Sequence, residues 1–311
     1  MIPFHPFFRN PHVQTIASHF WRRPRATEAI ERRLIETEPG IRVLVASQRP
    51  AGVAKGEIVM VHGLEGSGHA GYIESLAAAA LGAGYAAHRF HMRTCGGTER
   101  HSTTLYHGGM TGDLAAVLRL FQQEGRAPVF LVGFSLGGNV VTKLAGELGD
   151  RAAELIRGVC AVSAPLDLEA SARRIGAFDN RLYERRFVRK MIRRLLATGH
   201  YQPAQLAGIR SLKAIDDRVT APHFGMGTAL NYYRTQSAIR LADRIRVPTL
   251  LIQAKDDTFV PWQIVEHAAV RANPHVQTLV TEHGGHLGFI ARGNPRFWLD
   301  AAIMQWIGGS P

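Results

Sequence analysis

Val132-Gly133-Phe134-Ser135-Leu136-Gly137-Gly138-Asn139 carries a serine with glycine two residues before it and two after. The apolar run PVFLVGF (128–134) precedes this serine and a helical pattern over 136–148 follows it, so the spacing predicts a tight strand-to-helix turn. In such a turn the serine adopts strained backbone angles that lift its Oγ above the sheet. The flanking glycines remove the Cβ atoms that would clash where strand and helix cross. The helix start then aims its dipole at the reacting centre. A chance small-residue turn is the competing reading of so short a pattern, and the strand–turn–helix setting argues against it.

The same rhythm recurs on both sides. EIVMVH (57–62) leads into a helical stretch at 72–81, YAAHRF into 111–123, VPTLLIQA into 262–272 and HVQTLVTE into 297–307, with a further strand at LIRGVCAVS. Continuous apolar strands alternating with helices predict an α/β fold, a mostly parallel twisted sheet with helices on both faces. Upstream, RRLIETE, Pro39-Gly40 and IRVLVAS read as an antiparallel hairpin. Residues 1–30, aromatic, basic and interrupted by proline, read as a lead-in without a regular element. From 165 to 246 the rhythm breaks into an arginine-rich stretch of helix formers, expected to be a helical cap over the sheet's carboxyl edge. The expectation is one domain over 1–311 with the cap 165–246 inserted in it.

A serine hydroxyl is a weak nucleophile without a base, so partners are expected downstream in the order carboxylate, then histidine. Strand TLLIQA runs into Lys255-Asp256-Asp257-Thr258-Phe259-Val260-Pro261, and VQTLVTE into His283-Gly284-Gly285-His286. Both loops follow strand carboxyl ends, where parallel sheets place their sites. Asp257, four residues before Pro261, is favoured over Asp256, which reads as a solvent-facing rim carboxylate. His286, after the Gly-Gly pair, is favoured over His283, which reads as a surface or loop-packing residue. An oxyanion hole would draw on the backbone N–H of Leu136, just past the serine, and that of Leu64 in His62-Gly63-Leu64-Glu65-Gly66. His62 reads as structural, orienting that loop. The run Gly66-Ser67-Gly68-His69-Ala70-Gly71 matches a dinucleotide fingerprint, but it begins four residues past its strand and no carboxylate closes the next one.

Composition narrows the class. Hydrophobic residues make up 46% and charged residues 20%, which excludes wholesale disorder. Two cysteines cannot staple a secreted scaffold or build a cysteine zinc site. No continuous signal core opens the chain, and the small-apolar stretch 76–87 falls short of the ~20 residues a bilayer requires. A soluble cytoplasmic protein is expected, with no cofactor, no metal and no nucleic-acid partner. The net charge of +12, nearly all arginine, does not by itself name a partner.

Taken together, these motifs resemble the YheT-type α/β-hydrolases. The likeness rests on 62–66, Arg93-Thr94-Cys95-Gly96-Gly97, Tyr106-His107-Gly108-Gly109, 133–138, 256–261 and 284–289. It extends to Asn10-Pro11-His12-Val13-Gln14-Thr15 and to Leu230-Asn231-Tyr232-Tyr233 with Ser237. The resemblance covers nearly the whole chain and implies a serine hydrolase of the carboxylesterase type, with distant relatives acting on phospholipids. Thr258 departs from it, since members often carry proline after the paired aspartates. The chemistry expected is attack by Ser135 on an ester carbonyl with His286 as base and Asp257 orienting it, through an acyl-enzyme, on a small-molecule ester or lipid-like substrate. An acyltransferase, thioesterase or peptidase would use the same triad.

Within the cap, 181–196 alternates an apolar stripe (Tyr183, Phe187, Val188, Met191, Ile192, Leu195, Leu196) with cations read as a solvated face. Seven cations stand against one carboxylate, Glu184. That face is either solvated or a peripheral contact with an anionic membrane.

Overall fold

The computed structural model describes residues 2–310. Eight strands form one sheet in the order β1-β2-β4-β3-β5-β6-β7-β8. The hairpin of β1 (Glu31–Glu38) and β2 (Ile41–Gln48) lies at one edge, and β2 pairs antiparallel with β4 (Ala86–Phe90). From there β3 (Glu57–Val61), β5 (Val129–Phe134), β6 (Ile156–Val162), β7 (Thr249–Ala254) and β8 (Val276–Thr281) are parallel. Strands β3 to β7 are buried residue for residue apart from Arg157, as continuous apolar runs covered on both faces require.

Two cores result, one on each face. On one, α3 (Gly112–Gln123) and α4 (Leu136–Leu148) bury Leu114, Leu118, Val140 and Leu144. On the other, α2 (Gly71–Gly82) packs with the helix Trp298–Gly309 through Leu76, Ala80, Trp298 and Ile303. Between β6 and β7 the chain runs through several helices, among them α5 (Leu168–Ile175) and the 17-residue α6 (Arg181–Ala197), with a separate cluster of Val188, Met191, Leu195, Ile215 and Val219.

Three expectations need correction. The lead-in is not irregular: α1 spans Pro11–Phe20. Asn10 accepts from the N–H groups of His12 (3.0 Å) and Val13 (3.1 Å), and Pro11 sits where its missing N–H costs nothing. Second, 262–272 is not one helix but a 3₁₀ turn (Trp262–Glu266) and a single α turn (Ala268–Arg271). His267 breaks it with extended angles and caps Ala269. Third, Arg194 does not belong to a solvated face of α6; it is buried and ion-paired. Among the described residues no helix is long and apolar enough to cross a membrane.

Candidate active site

Ser135 follows β5 directly, at φ 50° and ψ −123°, a conformation L-residues adopt only where the surroundings enforce it. The enforcement comes from its glycines. A Cβ on Gly133 would strike the Gly137 carbonyl, and one on Gly137 would fall on the carbonyl oxygens of Val61 and His62. The turn is therefore wedged between β3 and its own helix, and Ser135 Oγ stands at the carboxyl edge of the central strands.

Loops after β7 and β8 bring the other two residues to it. His286 Nε2 lies 3.0 Å from Ser135 Oγ, and its Nδ1 lies 3.0 and 3.1 Å from the two carboxylate oxygens of Asp257. A carboxylate only accepts, so Nδ1 carries the ring proton and Nε2 offers its lone pair to the hydroxyl. Asp257 is fixed in turn: Oδ1 accepts from the N–H of Phe259 (2.8 Å) and Val260 (3.0 Å), and Oδ2 from Gln253 (3.2 Å).

The competing residues, Asp256 and His283, pair with each other at 3.1 Å. Asp256 is not an idle rim carboxylate, because it also accepts from the Gly285 N–H at 2.8 Å and so braces the loop that carries His286.

The loop after β3 passes close beside the serine, with Gly63 so near that a Cβ there would lie 3.0 Å from that of Ser135. Among the described residues, neither the Leu64 nor the Leu136 N–H has an acceptor within the chain. Both are thus free donors, one in the loop that passes the serine and one on the residue that follows it. His62 accepts the Met92 N–H at Nε2 (3.2 Å), so its Nδ1 donates to the Gly63 carbonyl (2.8 Å). Burial lowers its pKa to about 4, which keeps the ring neutral as those two bonds require.

The model of the α/β hydrolase fold matches residues 57–292. This chain belongs to the α/β-hydrolase family. Among curated proteins the α/β-hydrolase is 35% identical to "Putative esterase YheT" of Escherichia coli, over 96% of this chain and 91% of that one. It is 29% identical to a monoacylglycerol lipase of Saccharomyces cerevisiae, over 82% of this chain and 59% of the yeast protein. Among solved structures an esterase of Pyrococcus furiosus superposes with a TM-score of 0.64 at 17% identity, covering 93% of this chain and 97% of that one. This is an α/β-hydrolase of the esterase and lipase type.

Several supports of the site in this α/β-hydrolase escaped the reading of its sequence. Thr15 of α1 accepts the His286 N–H at 2.9 Å, and buried Gln14 donates to the Ile290 carbonyl at 2.9 Å. Asn180, fully buried, donates to the Thr258 carbonyl at 2.6 Å beside Asp257. Glu65 accepts from Arg194 at 2.8 Å and from the Tyr106 hydroxyl at 3.0 Å. The motif Asn-Pro-His-Val-Gln-Thr was visible as a likeness only. An Asn-Pro pair starting a helix is the local signal that would have exposed it.

Proposed function

We propose that this α/β-hydrolase cleaves carboxylic esters with Ser135 as nucleophile, His286 as general base and acid, and Asp257 as the residue that orients and stabilises the imidazolium. Oγ attacks the carbonyl carbon while Nε2 takes its proton, and the N–H groups of Leu64 and Leu136 receive the oxyanion. As the tetrahedral intermediate collapses, Nε2 returns that proton to the leaving alcohol. Water then repeats the sequence on the acyl-enzyme and releases the acid. No step calls for a metal or an organic cofactor. The observation carrying this reading is the hydrogen-bonded line from Ser135 Oγ through both nitrogens of His286 to Asp257, its links 3.0 Å each.

The test is covalent labelling with a fluorophosphonate and hydrolysis of p-nitrophenyl esters by wild type and Ser135→Ala. Loss of the nucleophile should remove labelling and on the order of 10⁶ in turnover. Persistent labelling of a folded Ser135→Ala protein sinks the reading.

We further propose peripheral contact with an anionic membrane. Helices α1 and α6 adjoin through His12 against Tyr183 and His19 against Arg186. Their exposed residues combine apolar Val13, Ile16, Phe20 and Leu182 with Arg185, Arg189 and Arg193, the mixture that an interface of lipid head groups and acyl chains binds.

A further inference from the structure

Ser135 lies where two cavities meet. One is narrow and mostly apolar, lined under α5 and α6 by Leu168, Ala172, Ile175 and Met191. The other is a cleft of about 1130 Å³ between α1, the loop after β3 and α6. His286 lines the cleft and not the narrow pocket. With His286 as the general acid of the proposed triad, on which this inference rests, the histidine must face the alcohol to which it returns the proton. The alcohol therefore departs into the cleft, and the acyl chain occupies the apolar pocket.

The cleft wall is cationic. Arg22, Arg23, Arg25, Arg186 and Lys190 line it against two carboxylates, Glu65 and Glu74. Both carboxylates are already paired within the chain, Glu65 with Arg194 and Glu74 with Arg25, each at 2.8 Å. Among the described residues, Arg22, Arg186 and Lys190 have no carboxylate within 4.0 Å. Arg186 and Lys190 stand one turn apart on α6, on the side that carries Arg194 inward a turn later. Like charges at that spacing repel, and an anion between them removes the repulsion. Arg186 also donates to His19 Nε2 at 3.0 Å, which holds it against the cleft.

We infer that this wall is an anion subsite for the alcohol part of the substrate, so that the substrate class is an apolar acyl ester of a phosphate-bearing alcohol. A guanidinium fork beside an ammonium suits phosphate oxygens, and the neutralised carboxylates leave no competing charge. A soluble phospho-alcohol and a phospholipid head group share this chemistry.

The experiment compares 1-butanoylglycerol with 1-butanoylglycerol 3-phosphate for wild type and for Arg186→Gln/Lys190→Met at low salt. The ratio of kcat/KM, phosphate ester over neutral ester, should be at least about tenfold in wild type. It should fall at least about tenfold in the double variant and shrink as salt screens the wall. Calorimetric binding of glycerol 3-phosphate needs no turnover, and it should weaken by a similar factor in the double variant. A wild-type ratio near one, or glycerol 3-phosphate binding unmoved by the double substitution, overturns the subsite. Intact binding with neither ester cleaved would instead overturn the triad reading. A parallel arm with phosphatidic acid vesicles assigns the source: faster cleavage there than of the soluble ester points to a lipid head group, and the reverse points to a soluble alcohol.

Discussion

Replacing Arg194 by methionine should destabilise the fold by about 3–5 kcal/mol and slow turnover by roughly 10² to 10³. The Glu65 and Arg194 side chains are only 4% and 8% exposed. Burial disfavours the guanidinium charge, yet Glu65, Tyr106 and Cys95 around it raise its pKa above the ordinary value, so it stays charged. Glu65 has a φ of 53°, and its N–H donates to the Tyr106 hydroxyl at 3.1 Å. Arg194 also donates to Thr94 Oγ1 at 2.9 Å, another non-glycine at positive φ, and its guanidinium lies 4.6 Å over the Tyr106 ring. Methionine keeps the apolar stem but strands a buried carboxylate, which sets the stability cost. With its anchor gone, strained Glu65 should relax and carry the adjacent Leu64 N–H off the proposed oxyanion position. Urea unfolding and p-nitrophenyl butanoate hydrolysis read the two effects separately. Adding Glu65→Gln to Arg194→Met should recover about 2 kcal/mol without restoring turnover, since the stranded charge is removed but the loop stays loose. Wild-type stability and turnover in Arg194→Met would refute the idea that this pair holds the loop.

Thr15→Val removes the acceptor of the His286 N–H without changing side-chain shape. It should cost about 1–3 kcal/mol and lower turnover on soluble esters, and unchanged kinetics would show that the histidine loop holds itself. Asp257→Asn should lower turnover by about 10⁴ and Asp256→Asn far less, because amide oxygen can still accept the Gly285 N–H; the reverse order would reassign the carboxylate. Stability should fall between pH 7 and 5, from the linkage of proton uptake to unfolding. Burial holds His62 at about 4 and His91 and His107 at about 3, so unfolding takes up protons once pH drops through 6.5. Buried Asp216 and Asp300, raised to about 6, return part of that loss below pH 6; urea midpoints that match or rise at pH 5 contradict the balance. Sedimentation with anionic vesicles should be strong at low salt, weaken as salt rises and be reduced in Arg185→Gln/Arg189→Gln/Arg193→Gln, and equal binding to neutral vesicles would leave these residues as solvated surface.

The sheet and the positions of Ser135, Asp257 and His286 were legible because each rests on local chemistry. A buried parallel strand is a continuous apolar run, and each of these residues follows one within a few positions. The supports were not legible, because they are made across distances the chain does not announce. Thr15 meets His286 from 271 residues away, and Arg194 meets Glu65 from 129. The stripe of α6 was read correctly for Val188, Met191 and Leu195, all buried. Periodicity assigns a direction to a side chain and not a partner, so it gave all the cations one fate. Arg194 lies on the same helical row as Arg186 and Lys190, yet only Arg194 finds a carboxylate beneath it.

These long-range supports make the site depend on elements outside the sheet. The histidine loop is pinned by α1, the Asp257 turn by Asn180 just before α6, and the Leu64 loop by Arg194 within α6. The same two helices wall the cleft, with His19 of α1 bonded to Arg186 of α6 at its mouth. A ligand that draws α1 and α6 together should therefore tighten the elements holding His286, Asp257 and the proposed oxyanion donors. A ligand that fills only the apolar pocket leaves α1 untouched, since no residue of α1 lines that pocket. We expect engagement of the cleft, by substrate or by a surface pressed against its rim, to improve the alignment of the proposed triad through Thr15 and Arg194. Thr15→Val should weaken that coupling, so that any rate gain an anionic ester shows over its neutral counterpart is smaller in this variant than in wild type.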